Sequence, residues 1–192
     1  MPFFPGAHHQ LIPPFACGIL PLALSPGWEI IIPFTPIHLG PGLAFKAIGG
    51  KHFSFMVFGG GQVLMDIEPL IGILCGWDVL HGYTHTVLGA LVIGAIAGCT
   101  GKPISSFALK VLQIPHYPFT WLASFLGAYV GTFSHVLLDA IMHGDMSPWW
   151  PIISGNKLLG VISIEALHLS CIIAAVIGAI VCIVRFKTRG RV

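Results

Sequence analysis

Charge is what this sequence has least of. Only 8% of its 192 residues are Asp, Glu, Lys or Arg, whereas a soluble domain carries roughly a quarter to keep its surface solvated. So few charges cannot coat a globule in water, and a surface that faces lipid removes the deficit. A net charge of +2 leaves no basic face for nucleic acid, and no run of like charge marks a disordered tail. Cysteine chemistry is scarce as well. Cys17, Cys75, Cys99, Cys171 and Cys182 are odd in number and show no C-x-x-C spacing. They read as small buried hydrophobes, not as a disulfide frame or a thiolate metal site. No glycine-rich loop follows a strand-like run, which argues against a nucleotide cradle. Ser134 directly precedes His135, and adjacent helical residues point in different directions, so a serine nucleophile with its base is excluded there.

What is present is apolar residue in long runs, 55% of the chain, at a mean hydropathy of +0.89. Residues 1–32 stand apart as an irregular proline-rich extension, because Pro2, Pro5, Pro13, Pro14, Pro21 and Pro26 break any spanning helix. No lysine or arginine precedes Leu20–Leu24, so the charged start of a signal peptide is missing. The His8–His9 pair in this stretch reads as incidental. Residues 33–192 form the transmembrane domain. Leu39–Gly49 suits a short interfacial or half-inserted helix. Phe53–Gly76, Thr84–Thr100, Phe119–His143 and Leu158–Val184 are each about long enough to cross a hydrocarbon core of roughly 30 Å, with Ile104–Ile114 left as a surface segment. The expected fold is therefore all-α, a polytopic bundle of about four spans. Gly94 with Gly98, and Gly127 with Gly131, place small residues four apart for close helix approach.

Four spans put Lys46, Lys51, Lys102, Lys110, Arg185, Lys187, Arg189 and Arg191 on one side and Lys157 alone on the other. Cations concentrate on the cytoplasmic side, so both ends of the core are expected there.

Histidines number ten against seven carboxylates, and several lie inside apolar runs, where ionisable groups need a reason. Asp66 and Glu68 interrupt the first span just before Pro69, which removes a helical hydrogen bond and favours a break. His81 and His85, four apart, would stack on one face if helical. His135, Asp139 and His143 form one stripe on the third span, with Asp139 about 6 Å and His135 about 12 Å deeper than His143. Glu165 and His168 share a face of the fourth. By the assigned topology all converge in the same half of the bundle, with His38 and Asp145 as further candidates. Imidazole with carboxylate suits zinc, manganese or ferrous iron better than calcium.

Asp66-Ile-Glu68-Pro69, His81-Gly-Tyr-Thr-His85-Thr86 and Ser134-His135-x-x-x-Asp139, with Pro33-Phe34-Thr35-Pro36-x-His38 at the start, resemble the LexA-binding, inner-membrane-associated hydrolases (the YdjM-like family). That family carries a P-D-x-D-like, an H-R-x-x-T-H-S-like and a later H-x-x-L-D element. Here Met65 and Glu68 replace the proline and second aspartate, and Gly82 stands in place of the arginine. The resemblance covers about residues 33 to 160 and implies a metal-dependent hydrolase in a bacterial inner membrane.

The resulting expectation is a hydrolase with one or two divalent ions, zinc or manganese, on His81, His85, His135 and Asp139. Asp66 or Glu68 would act as general base, and a lipid or lipid-linked phosphoester would be the substrate. The alternative is a divalent-cation or proton-coupled transporter using the same cluster. A haem protein with two axial span histidines is disfavoured by the nearby carboxylates.

Overall fold

The computed structural model describes residues 36–114 and 119–189. The extension expected at 1–32, the motif residues 33–35, and Pro115 and Pro118 lie outside the described residues. Within them the chain is helical, with no strand, and four helical segments are long and apolar enough to cross a bilayer. The chain is an integral membrane protein. Its outward faces carry side chains such as Leu91, Val92, Ile172 and Ile180, which suits contact with lipid.

A short 3₁₀ turn, Pro36–Leu39, leads into α1 (Gly40–Gly49). The first span is divided into α2 (Phe55–Met65) and α3 (Ile67–Cys75). α4 is Val87–Val111, α5 Trp121–Met142 and α6 Ile164–Arg189. Ser54, Thr86 and Thr120 cap α2, α4 and α5 through side-chain oxygens that accept from Val57, Gly89 and Ala123 amides, the usual remedy for unpaired first-turn N–H groups. α3 stops at Gly76, which takes the left-handed conformation (φ 68°), while the Trp77 amide donates back to Gly72.

α5 is the hub, packed against both α2 and α4. The two glycine pairs do what their spacing suggests. A Cβ at Gly94 or Gly98 would strike Tyr129 or Phe125 of α5, and one at Gly127 or Gly131 would strike the backbone of Ser54 or Phe58. Hydroxyls stitch the same contacts, Ser124 donating to Gly98 O at 2.7 Å and Thr132 to Ala90 O at 2.9 Å.

Two boundaries differ from the sequence reading. α4 runs on through Pro103 to Val111, so the expected surface segment is part of the span; one proline removes a single helical bond, which a membrane helix tolerates. α6 begins at Ile164 rather than Leu158, because the chain turns at Gly160 (φ 69°) and Ser163 Oγ accepts from the Ala166 amide. The cysteine reading also needs correction: Cys75 is disulfide-bonded, while Cys99, Cys171 and Cys182 are free.

α1 packs on a spanning helix and does not stand apart from the bundle. It lies along α6, with Gly40 against Cys171 and Gly178 against Leu43 and Ala44. At one end the Arg185 guanidinium donates to Ala47 O and Lys46 Nζ donates to Gly50 and Phe53 carbonyls. At the other end His38 reaches Asp139 of α5. The helix therefore connects the cation-rich end of the bundle to the depth of the polar cluster.

Candidate metal centre

His135 and Asp139 project from α5 one turn apart. Both are buried among packed helices, as are Asp66 and His85; the four residues are 1, 3, 8 and 0% exposed respectively. Polar groups this dry are costly unless paired.

Asp66 joins the cluster from the junction of α2 and α3. Pro69 has no N–H for the Met65 carbonyl, and α2 gives way to α3 around Asp66 (φ −72°, ψ −7°). Two residues apart, the two carboxylates point to nearly opposite sides of the span and take different tasks. Asp66 Oδ1 lies 3.2 Å from His135 Nε2. Glu68 turns to the Gly76–Thr86 connection, where Oε1 accepts from the Tyr83 amide at 3.1 Å and Oε2 from the Thr84 amide at 2.9 Å and the Thr84 hydroxyl. The same hydroxyl lies 3.4 Å from the Met65 oxygen that Pro69 leaves without its helical donor.

This connection is not helical, contrary to the expectation for His81 and His85. α4 starts only at Val87, because the amides of Leu80, His81, Tyr83 and Thr84 donate to Asp145 and Glu68 instead of to a preceding turn. The two rings still meet, edge to face, with centroids 4.9 Å apart. A turn achieves what a helix was expected to do.

Hydrogen bonds decide which nitrogen of each ring faces the centre. Gln62 Nε2 donates to the Gly131 carbonyl and Ser134 Oγ, both at 3.3 Å, so its oxygen faces His135. Gln62 Oε1 then accepts from His135 Nδ1 at 2.6 Å, leaving a lone pair on Nε2. Thr84 gives its proton to Glu68 and accepts from His85 Nδ1 at 3.0 Å, which leaves a lone pair on His85 Nε2 as well. The two Nε2 atoms are 3.3 Å apart. Asp139 Oδ2 is 3.0 Å from that of His135 and 3.4 Å from that of His85.

In these tautomers four acceptors converge with no donor among them, an arrangement relieved by a bound cation or by a proton on one imidazole. The ligand atoms of Asp66, His85, His135 and Asp139 all lie within 4.8 Å of one another. Zinc bonds of about 2.0–2.1 Å in tetrahedral array separate neighbouring ligands by about 3.3 Å, so the donor set fits a small divalent ion. The outward bonds to Gln62 and Thr84 are the supports that orient metal-binding imidazoles.

Of the other candidates, His81 lies alongside, its Nδ1 2.9 Å from Asp145 Oδ1, and His143 stacks on it with centroids 4.1 Å apart. Burial resists ionisation of Asp145, yet the His81 ring and the Leu80 and His81 amides hold its carboxyl well below the usual range. Burial, aided by neighbouring His81, lowers His143 and keeps it neutral at pH 7. His38 Nδ1 is 3.4 Å from Asp139 Oδ1, and neither of its ring nitrogens has a hydrogen-bond partner among the described residues. His168 is half-buried, with Nε2 likewise unpartnered. Glu165 does not join: it is exposed in the first turn of α6, because α6 packs chiefly on α1 and barely touches α5.

The sequence reading passed over Gln62 and Thr84 as functional residues. For Gln62 a signal existed, a lone amide in an apolar run four residues before Asp66 and so on the same helical face. Comparison with known protein families, curated proteins and solved structures finds no match, so geometry carries the functional reading.

Proposed function

We propose that this protein is a membrane-embedded metal-dependent hydrolase, holding a zinc or manganese ion on His85, His135, Asp139 and Asp66. The observation that carries the reading is the pair of Nε2 lone pairs facing each other beside two carboxylates in a dry site. A divalent ion there supplies a Lewis acid and lowers the pKa of water to near neutrality. The chain's own residues do the rest. Gln62 and Thr84 hold the imidazoles in register, Glu68 and Asp145 clamp the connection that carries His81 and His85, and Asp66, at the helix break, is the general base or fourth ligand. Glu68 has both oxygens engaged with the backbone, which favours a positioning role over the basic one expected of it.

The resemblance to the inner-membrane hydrolase family supports this reading, and two of its three departures, Glu68 and Gly82, meet in space. A Cβ at Gly82 would lie 2.6 Å from Glu68 Oε1, so the longer acid and the missing arginine belong together. The cation distribution supports placing the His81 and Asp145 loops outside the cytoplasm. A site set within the bundle, close to that face, favours a lipid or lipid-linked phosphoester.

The test is bound metal, measured by elemental analysis after purification in mild detergent, with His135→Ala and Asp139→Ala alongside. Near-stoichiometric zinc or manganese that both variants lose would support the reading. A folded wild type that neither carries nor takes up metal would sink it. The break at Asp66 favours a second reading, passage of a divalent cation or proton; metal uptake into proteoliposomes without turnover of any ester would select that one.

A further inference from the structure

Asp139 belongs to two groups of ligand atoms. One contains Asp66, His85 and His135; the other contains His81 and His143, again with every ligand atom within 4.8 Å of the others. We propose that Asp139 bridges two divalent ions, the second held by His81 and His143, and that the pair acts on a phosphoester. This rests on the metal-dependent reading above and sets its metal count and substrate class.

The second group has the marks of a built site. Asp145 accepts from His81 Nδ1 at 2.9 Å and is itself fixed by the Leu80 and His81 amides at 3.0 and 3.1 Å. The His81 tautomer is thereby set with its Nε2 lone pair free, the carboxylate–histidine support typical of metal sites. His143 follows the last turn of α5, its amide bonded to Asp139 O at 2.8 Å. Its ring stacks on that of His81, with centroids 4.1 Å apart and planes 22° from parallel, so one of the two rings must turn for both in-plane lone pairs to meet at a shared ion. His81 is 7% exposed, and a buried lone pair there wants a partner.

Charge points the same way. Asp66, Glu68, Asp139 and Asp145 border the two groups, and the described ion pairs of all four are with histidine alone. With neutral imidazoles, one divalent ion offsets the two buried carboxylates, Asp66 and Asp139, and a second offsets the partly exposed Glu68 and Asp145. A neutral pair with unfilled positions accepts an anionic phosphoryl group, where a singly loaded site would repel it. Adjacent ions on a shared carboxylate are the arrangement that stabilises both attacking and leaving oxygens of an in-line phosphoryl displacement.

The experiment loads metal-free protein in detergent with Mn(II). It reads stoichiometry by elemental analysis and coupling by electron paramagnetic resonance, on wild type, His143→Ala and His135→Ala. Two ions per chain with a spin-coupled signal are expected in the wild type. His143→Ala should retain one ion and show an uncoupled six-line spectrum. A wild type saturating at one uncoupled ion overturns the bridged pair and leaves the mononuclear reading standing. A wild type that takes up none overturns both. The wild-type spectrum decides the matter even if a variant fails to fold.

Discussion

The side-chain oxygen of Gln62 accepts a 2.6 Å hydrogen bond from His135 Nδ1, so α2 dictates which nitrogen α5 presents to the centre. Gln62→Leu removes that acceptor without adding bulk near the ligands. Metal affinity should fall about 10- to 100-fold while the protein stays monodisperse. Competition with a chromophoric chelator measures it, and unchanged affinity would remove Gln62 from the site.

Glu68 and Gly82 depend on each other, because the carboxylate fills the space a side chain at 82 would use. Gly82→Ala should displace Glu68 from the Tyr83 and Thr84 amides, and Glu68→Leu should release the same amides directly. Charge-assisted bonds of this kind contribute about 1.5–3 kcal/mol, so exchange of those two amides should quicken by about 10- to 100-fold in either variant. If Gly82→Ala leaves both amides protected, the steric coupling is wrong.

Asp145 gives the connection its pH dependence. Burial opposes its charge, but the His81 ring and two amides more than offset this and depress its pKa in the folded protein. A depressed carboxyl stabilises above its unfolded value of about 4, and the contribution fades as pH falls below that value toward the folded one. Asp145→Asn should therefore loosen the Leu80 and His81 amides at pH 7, with the gap from wild type narrowing progressively below about pH 4. Hydrogen exchange corrected for intrinsic rates reports this. A gap that widens on acidification would reverse the assignment.

Gly131 and Gly60 make opposite predictions within one bundle. A Cβ at Gly131 would sit 2.7 Å from the Phe58 carbonyl oxygen, a backbone atom that cannot swing aside, whereas Gly60 has nothing within 4 Å. Gly131→Ala should destabilise by about 1–3 kcal/mol, and Gly60→Ala should be neutral or stabilising by up to about 1 kcal/mol. Thermal unfolding in detergent compares them. Equal midpoints would mean that α2 and α5 do not approach this closely.

The membrane character, the four spans and the close helix contacts were legible in the sequence because each follows from local properties. Hydropathy over about 20 residues identifies a span, and a spacing of four marks one helical face, which is why the glycine pairs and the His135–Asp139 stripe stand where expected. Tertiary structure alone decided the rest. The His81–His85 connection is a turn and not a helix, because its amides bond to Glu68 and to Asp145, 64 and 65 residues away in the latter case. Helical spacing alone puts Asp66 and Glu68 on opposite sides of the span; the fold decides that Asp66 faces the ligands and Glu68 the loop. The Pro36–Leu39 turn ahead of α1 brings His38 to Asp139, while Glu165 stays at the surface, since α6 pairs with α1 rather than with α5. Periodicity says which residues share a face; which donor completes which acceptor is settled only when distant segments meet in a medium that offers no water as a substitute.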